Sequence, residues 1–243
     1  MPELDKLTLS DMIRVGSELR KIPASLNCME SAAEHVVDYF YENFRNGTTG
    51  SRNCVLVRFY LTVPFGELEP DLQLFASTIS DCGSLRASTK CMTLLATRGD
   101  DPAWNSRISS VGHKAIPLPS VDVVSKMPMM YQLVRQLGIE LSDFLDPTPE
   151  LFLEMEQRNY NVFHVPTALN SPHIPAQDNF VVPFGIRSVL GFGGLLPGGE
   201  LFAVILFARD EIPLESAQMF KTVALNIKTA ILKFSVERKI FSR

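Results

Sequence analysis

The stretch that decides the fold is RSVLGFGGLLPGGELFAVILFARDEIP, Arg187 to Pro213. It holds two apolar runs, 188–195 and 200–208, separated by Leu196-Pro197-Gly198-Gly199. Short apolar runs bounded by turn residues read as buried strands. Gly198 and Gly199 can supply the positive φ of a hairpin turn, and Pro197 fixes the entry to it. The GFGG inside the first run invites a second reading, as a phosphate-binding loop. Such a loop needs a strand, then glycines, then a helix N-terminus aimed at the phosphate. Here the glycines are followed by another strand, so that context is missing. Glycine inside a strand points instead to a bulge, or to close approach by another backbone or a ligand.

Outward from the hairpin, Leu214 opens a helix. Phe220, Val223, Ile227, Ala230 or Ile231, and Phe234 recur three and four apart along it. That stripe suits packing on the sheet, a parallel two-helix contact, or both. Upstream, 180–184 and 161–165 read as short strands, and the two prolines of NSPHIPAQD (170–178) mark a loop. A helix is expected from Thr148-Pro149-Glu150 to about Asn159, with proline in its first turn. Val121 to Gly138 has helical periodicity, with Pro128 as a kink or late start. CVLVRFYL (54–61) and KCMTLLAT (90–97) read as strands, joined by a segment in which Pro70 leads into a short helix. At the N-terminus, Ser10 to Arg20 reads as one helix with Ser10 as its cap. Asn27 to Phe44 reads as another, with Asn27 as N-cap and Glu30 reciprocating.

Composition bounds the function. The chain has 243 residues, 46% hydrophobic and 21% charged, with net charge −4. That is ample for a core without staples. No run of Lys or Arg suggests nucleic acid as a partner. No apolar run approaches the ~18–20 residues of a membrane span. The polar N-terminus MPELDKLTLSDMIR is unlike a signal peptide, so a cytoplasmic location is expected. The four cysteines, Cys28, Cys54, Cys82 and Cys91, form no C-x-x-C pair and are expected to be reduced.

A hairpin of two long apolar strands followed by an amphipathic helix resembles the C-terminal half of a GAF domain. The segments CMTLLATRGDDPAWN, GHKAIPLPS, YNVFHVP and RSVLGFGGLLPGGELFAVILF are similar to a module found at the N-terminus of bacterial signalling proteins, ahead of kinase or cyclase outputs. The resemblance implies an α+β fold, with an antiparallel sheet, helices on one face and a small-molecule pocket on the other. It spans roughly 27–234, and a PAS-like sheet is the rival arrangement. One domain over 1–243 is expected. It divides into N-terminal helices (1–45), a long helical insertion (98–179) and a C-terminal signalling and dimer helix (214–243).

Polar side chains concentrate in the insertion. The ligand-binding candidates are Trp104, Asn105, His113, Asn161 and His164, with Arg187 at the start of the hairpin. They can offer hydrogen-bond donors and a stacking ring to a ligand. Equally, they can knit a loop to the sheet. Gln157, Arg158, Asn159, Tyr160 and His173 lie in the same region. The histidines are far apart, without H-x-x-H spacing, so no metal site is expected. His164 is the best placed for an axial haem contact, and a satisfied edge histidine is its plainer role. The carboxylates of GELEPD (66–71) and His35 read as solvated.

The expected function is a regulatory sensor of an unidentified small molecule, homodimeric and not an enzyme, relaying through its terminal helices to a kinase or cyclase output. The ligand class stays open between a nucleotide, an aromatic metabolite and haem. One alternative is a cysteine-dependent reductase using Cys82 and Cys91, since some GAF proteins reduce free methionine sulfoxide. Another is a ligandless dimerisation scaffold.

Overall fold

The computed structural model describes residues 2–22, 26–80, 84–146 and 161–242. Six strands make one sheet: β1 (Cys54–Pro64), β2 (Lys90–Gly99), β3 (Ala115–Leu118), β4 (Phe163–Val165), β5 (Ser188–Leu195) and β6 (Leu201–Ala208). Their order is β3-β2-β1-β6-β5-β4, and every pairing is antiparallel. β5 and β6 are buried at every position, which is why they read as unbroken apolar runs rather than alternating ones. The two short edge strands, β3 and β4, both lie inside the 98–179 insertion.

The opening hairpin forms as read. Gly199 takes a φ of 85°, and its N–H donates to the Leu196 carbonyl at 2.9 Å. The β5–β6 register runs without a shift, so GFGG is not a bulge. It is a close approach. A Cβ on Gly193 would sit 2.0 Å from the Phe202 carbonyl oxygen, closer than any side chain tolerates.

One face of the sheet is closed by helices from both ends of the chain: α1 (Leu9–Arg20), α2 (Met29–Asn43) and the helix at Leu214–Val236. Phe40, Phe44, Phe192 and Phe220 meet there with ring centres 5.0–6.1 Å apart. The stripe of Phe220, Val223, Ile227, Ile231 and Phe234 is fully consumed by this core. α3 (Pro70–Ile79), between β1 and β2, adds Leu72 and Ala76 to the same core, and the insertion covers the other face with α4 (Val121–Val124), α5 (Pro128–Gln136) and α6 (Leu141–Leu145). The Leu214–Val236 helix is hereafter α7. Pro128 opens α5 at its first turn and separates it from α4. Gly191 gives α5 room: a Cβ there would lie 3.2 Å from Leu133 and 3.0 Å from Phe163. This is the α+β arrangement that the resemblance implies, with terminal helices on one face and the insertion on the other.

Three local expectations are corrected. The cap of α1 is Thr8, whose hydroxyl accepts from the Asp11 N–H while the Asp11 carboxylate accepts from the Thr8 N–H. The N-cap of α2 is Cys28, not Asn27, and it makes no side-chain cap. Instead, the chain beyond α7 folds back and its Lys239 and Ile240 carbonyls accept from the Met29 and Glu30 N–H groups at 2.8 and 2.9 Å. A tertiary partner has taken the place of a local one. Finally, 180–184 is not a strand. A π-helical turn, Gln177–Val181, runs into further turns, and it aims Phe180 and Phe184 at the same neighbour, Trp104. The helix expected over 148–159, together with Cys82 and 157–160, lies outside the described residues.

Candidate functional site

The insertion face carries a polar group where an apolar one is expected. Arg58 sits mid-strand in β1, in the row Thr97–Arg58–Ile205 across β2, β1 and β6. Directly paired residues of an antiparallel ladder share a face, so Thr97 lies beside Arg58. Leu56 and Gly99, two residues from each, fix that face as the insertion side: Leu56 belongs to its core, and a Cβ on Gly99 would lie 2.8 Å from Trp104.

Arg58 is half-buried, and among the described residues it makes no ion pair. Its Nη1 donates to the Tyr60 hydroxyl at 3.2 Å, while its buried Nε–H has no partner. The buried Thr97 hydroxyl is also unpartnered. Tyr60 is 6% exposed and its oxygen accepts from Arg58, so its own proton needs another acceptor. Arg58, Tyr60 and Thr97 therefore present three donors to one face of the sheet, with no carboxylate between them among the described residues. Leaving such groups unpaired in a low dielectric costs free energy.

An aromatic wall stands one row along. Trp104 is half-buried, 4.5 Å from Phe184 and 5.5 Å from Phe180 between ring centres, and Phe180 lies 5.0 Å from Phe207 of β6. His113 closes the loop between β2 and β3 with a φ of 60°. Its side chain is exposed by area, yet neighbouring atoms strip enough water to hold the imidazole below its ordinary pKa. The Arg58 charge adds to that shift.

The other sequence candidates occupy intramolecular bonds. The Asn105 Oδ1 accepts from the Gly99 N–H at 2.9 Å, which fixes the Trp104 loop to the end of β2. His164 bridges three elements: its N–H donates to Gln136 of α5 at 2.7 Å, and its Nε2 lies 2.7 Å from the Ile212 carbonyl, just before α7. That carbonyl can only accept, so Nε2 carries the proton. Burial holds the ring below its ordinary pKa against the opposing effect of this bond. Asn161 is exposed, its N–H bonded to the Leu137 carbonyl. Arg187 is exposed and pairs with Glu211 at 2.5 Å, at the end of the sheet. The structure therefore brings Trp104 and His113 to the Arg58 region and places Asn161 and Arg187 elsewhere.

The described cysteines sit apart from this face. Cys54 and Cys91 lie in the core under the terminal helices, and burial pushes both thiols up to about 12. Cys28 is buried 3.3 Å from the Ser31 hydroxyl. Thiolate chemistry needs a lowered thiol pKa, the opposite of what Cys54 and Cys91 show.

No protein-family model matches the chain. No curated protein matches it either. Solved structures with a likeness include the GAF domain of a phosphoenolpyruvate-protein phosphotransferase from Coxiella burnetii: 12% identity, 94% of this chain, 97% of that chain, TM-score 0.44. The phycocyanobilin-bound GAF domain of a cyanobacterial phytochrome is similar at 11% identity over 96% of this chain and 98% of that one, TM-score 0.43. The phycoerythrobilin-bound form gives 10% over 96% and 99%, TM-score 0.42. These are distant likenesses. The GAF-like description rests on the strand order and on the division of helices between the two faces. No helix among the described residues is long and apolar enough to cross a membrane.

Proposed function

We propose that the protein is a cytoplasmic small-molecule sensor of bacterial signal transduction, acting by non-covalent binding rather than turnover. The observation that carries this reading is the contrast within one sheet face: Arg58, Tyr60 and Thr97 offer donors without acceptors, beside the half-buried ring of Trp104. Ligand pockets combine an apolar wall with a few such polar groups.

Connectivity supports the relay. β1, which bears Arg58, is hydrogen-bonded to β6, and β6 leads through Ile212 into α7. His164 ties the insertion to the same junction. A ligand that shifts the insertion or β1 therefore biases the entry to α7. Dimerisation belongs to the proposal, but the stripe of α7 is already used within the chain. The contact then falls on the outer side of the helices, where Leu9, Ile13 and Leu225 are 72%, 64% and 52% exposed. A kinase or cyclase output is the proposed recipient.

Native mass spectrometry of gently purified protein, beside its denatured mass, tests the reading. A dimer carrying additional non-covalent mass is expected. A bare monomer that gains no mass or thermal stability from a broad metabolite panel would overturn it.

A further inference from the structure

We infer that the ligand is a small monoanion, an aryl or arylalkyl carboxylate, whose carboxylate is held by Arg58, Tyr60 and Thr97 and whose ring packs beside Trp104. This rests on the reading of the insertion face as a ligand site and adds the ligand's chemistry to it.

The donor set decides the charge. A guanidinium edge and two hydroxyl protons are donors, and a carboxylate is acceptor-only with about four lone-pair sites. Hydrogen bonds between a cation and an oxyanion are roughly twice as strong as neutral ones. A neutral amide or a cationic ligand would leave the Arg58 Nε–H or its charge uncompensated. The site has one fixed positive charge, because the nearby His113 imidazole is held toward its neutral form. A dianionic phosphate would therefore bring one charge too many into a half-buried site, and a single carboxylate matches it.

The neighbours decide the body of the ligand. Trp104, Phe180, Phe184 and Phe207 form a continuous series of ring contacts over the row that holds Leu56 and Gly99, adjoining the Arg58 row. Offset or edge contact with a flat ring is favourable there. The Arg58 row adjoins the row under this wall, so a carboxylate held by Arg58 places the ring of an aryl acid within reach of it.

The test uses Trp104, the only tryptophan in the chain, as its reporter. The full chain is titrated with phenylacetate, phenyl phosphate and phenylacetamide while Trp104 emission is followed. Phenylacetate should give a saturable change at or below the low-millimolar range, with the amide at least about tenfold weaker. Arg58→Met should weaken phenylacetate by at least about tenfold and leave the amide unchanged. Thr97→Val, which keeps the side-chain shape, should weaken the acid by a smaller factor without affecting folding. Equal binding of acid and amide, or acid binding indifferent to both substitutions, overturns the anion site and leaves the sensor reading standing. Tighter binding of phenyl phosphate than of phenylacetate overturns the monoanion assignment. Absence of a response to all three probes also overturns the inference, while ligand mass on the native protein would still uphold the sensor reading.

Discussion

Two arginines on opposite faces of the sheet show how the two halves of the molecule differ. On the helix face, the Arg107 side chain is 9% exposed and fully paired. It meets Glu30 at 2.5 Å and Glu69 at 2.9 Å, and its guanidinium lies 5.3 Å from the Phe241 ring centre. Glu30 also accepts from the Ser242 N–H and hydroxyl. Burial pushes the Glu30 carboxyl up, and Arg107 and Ser242 together hold it below the usual range. On the insertion face, Arg58 has one neutral phenol. Arg98 also lacks a hydrogen bond at Nε, yet it has the Asp38 carboxylate at 3.4 Å. Arg107 is matched by its own carboxylates, whereas Arg58 has none among the described residues.

The largest expected effect lies in the helix-face core. Phe220→Ala removes a ring that touches Phe40, Phe44 and Phe192, and should cost about 3–5 kcal/mol in denaturant unfolding. A loss under 1 kcal/mol would mean that this face is not the main core.

Breaking the paired arginine comes next. Arg107→Met leaves the buried Glu30 carboxylate without its counter-charge, with only the Ser242 donors, and should cost about 3 kcal/mol. Because the folded-state pKa of Glu30 is depressed, the pair stabilises fully above about 4.5, the ordinary carboxyl value, and that contribution is lost as pH falls through the lower folded value. In Glu30→Gln, the acid limb of the pH–stability curve should be shallower than in the wild type.

A smaller effect of opposite sign distinguishes the insertion face. Lys90 donates to the Phe144 carbonyl and lies 4.5 Å from that ring's centre, and burial lowers its pKa to about 8. A depressed lysine disfavours the folded state while charged. Stability should therefore rise as pH goes from about 8 toward 10.5, the ordinary lysine value. Lys90→Met should remove that slope and raise stability at pH 7 by about 2 kcal/mol. An unchanged slope would show that Lys90 is solvated.

The comparison also explains what the sequence revealed. The hairpin at 188–208 was legible because it is buried on both sides, so its residue types follow one rule along their whole length. The stripe of α7 showed its period but not its partner, since packing on a sheet and on a second helix demand the same spacing. Asn27 misled because the α2 cap is supplied by Lys239 and Ile240, about 210 residues away, and local pattern cannot register such a partner. Phe180 and Phe184 misled because apolar residues that converge from a π-helical turn look like a short strand. Trp104 and His113 were found as polar or aromatic residues in a long connection. Arg58 was visible as the lone charge within CVLVRFYL. Its meaning depends on facing Thr97 of β2, a property of register, and on having no carboxylate partner among the described residues, a property of packing.

The most direct measurement is thermal unfolding of wild type, Arg58→Met and Arg107→Met side by side, ligand-free at pH 7. Removing a paired buried charge should lower Tm by roughly 10 °C, whereas removing the unpaired Arg58 should leave Tm unchanged or raise it. A fall in Arg58→Met matching that of Arg107→Met would mean that Arg58 is a satisfied structural cation, and would contradict the assignment of the insertion face to a ligand.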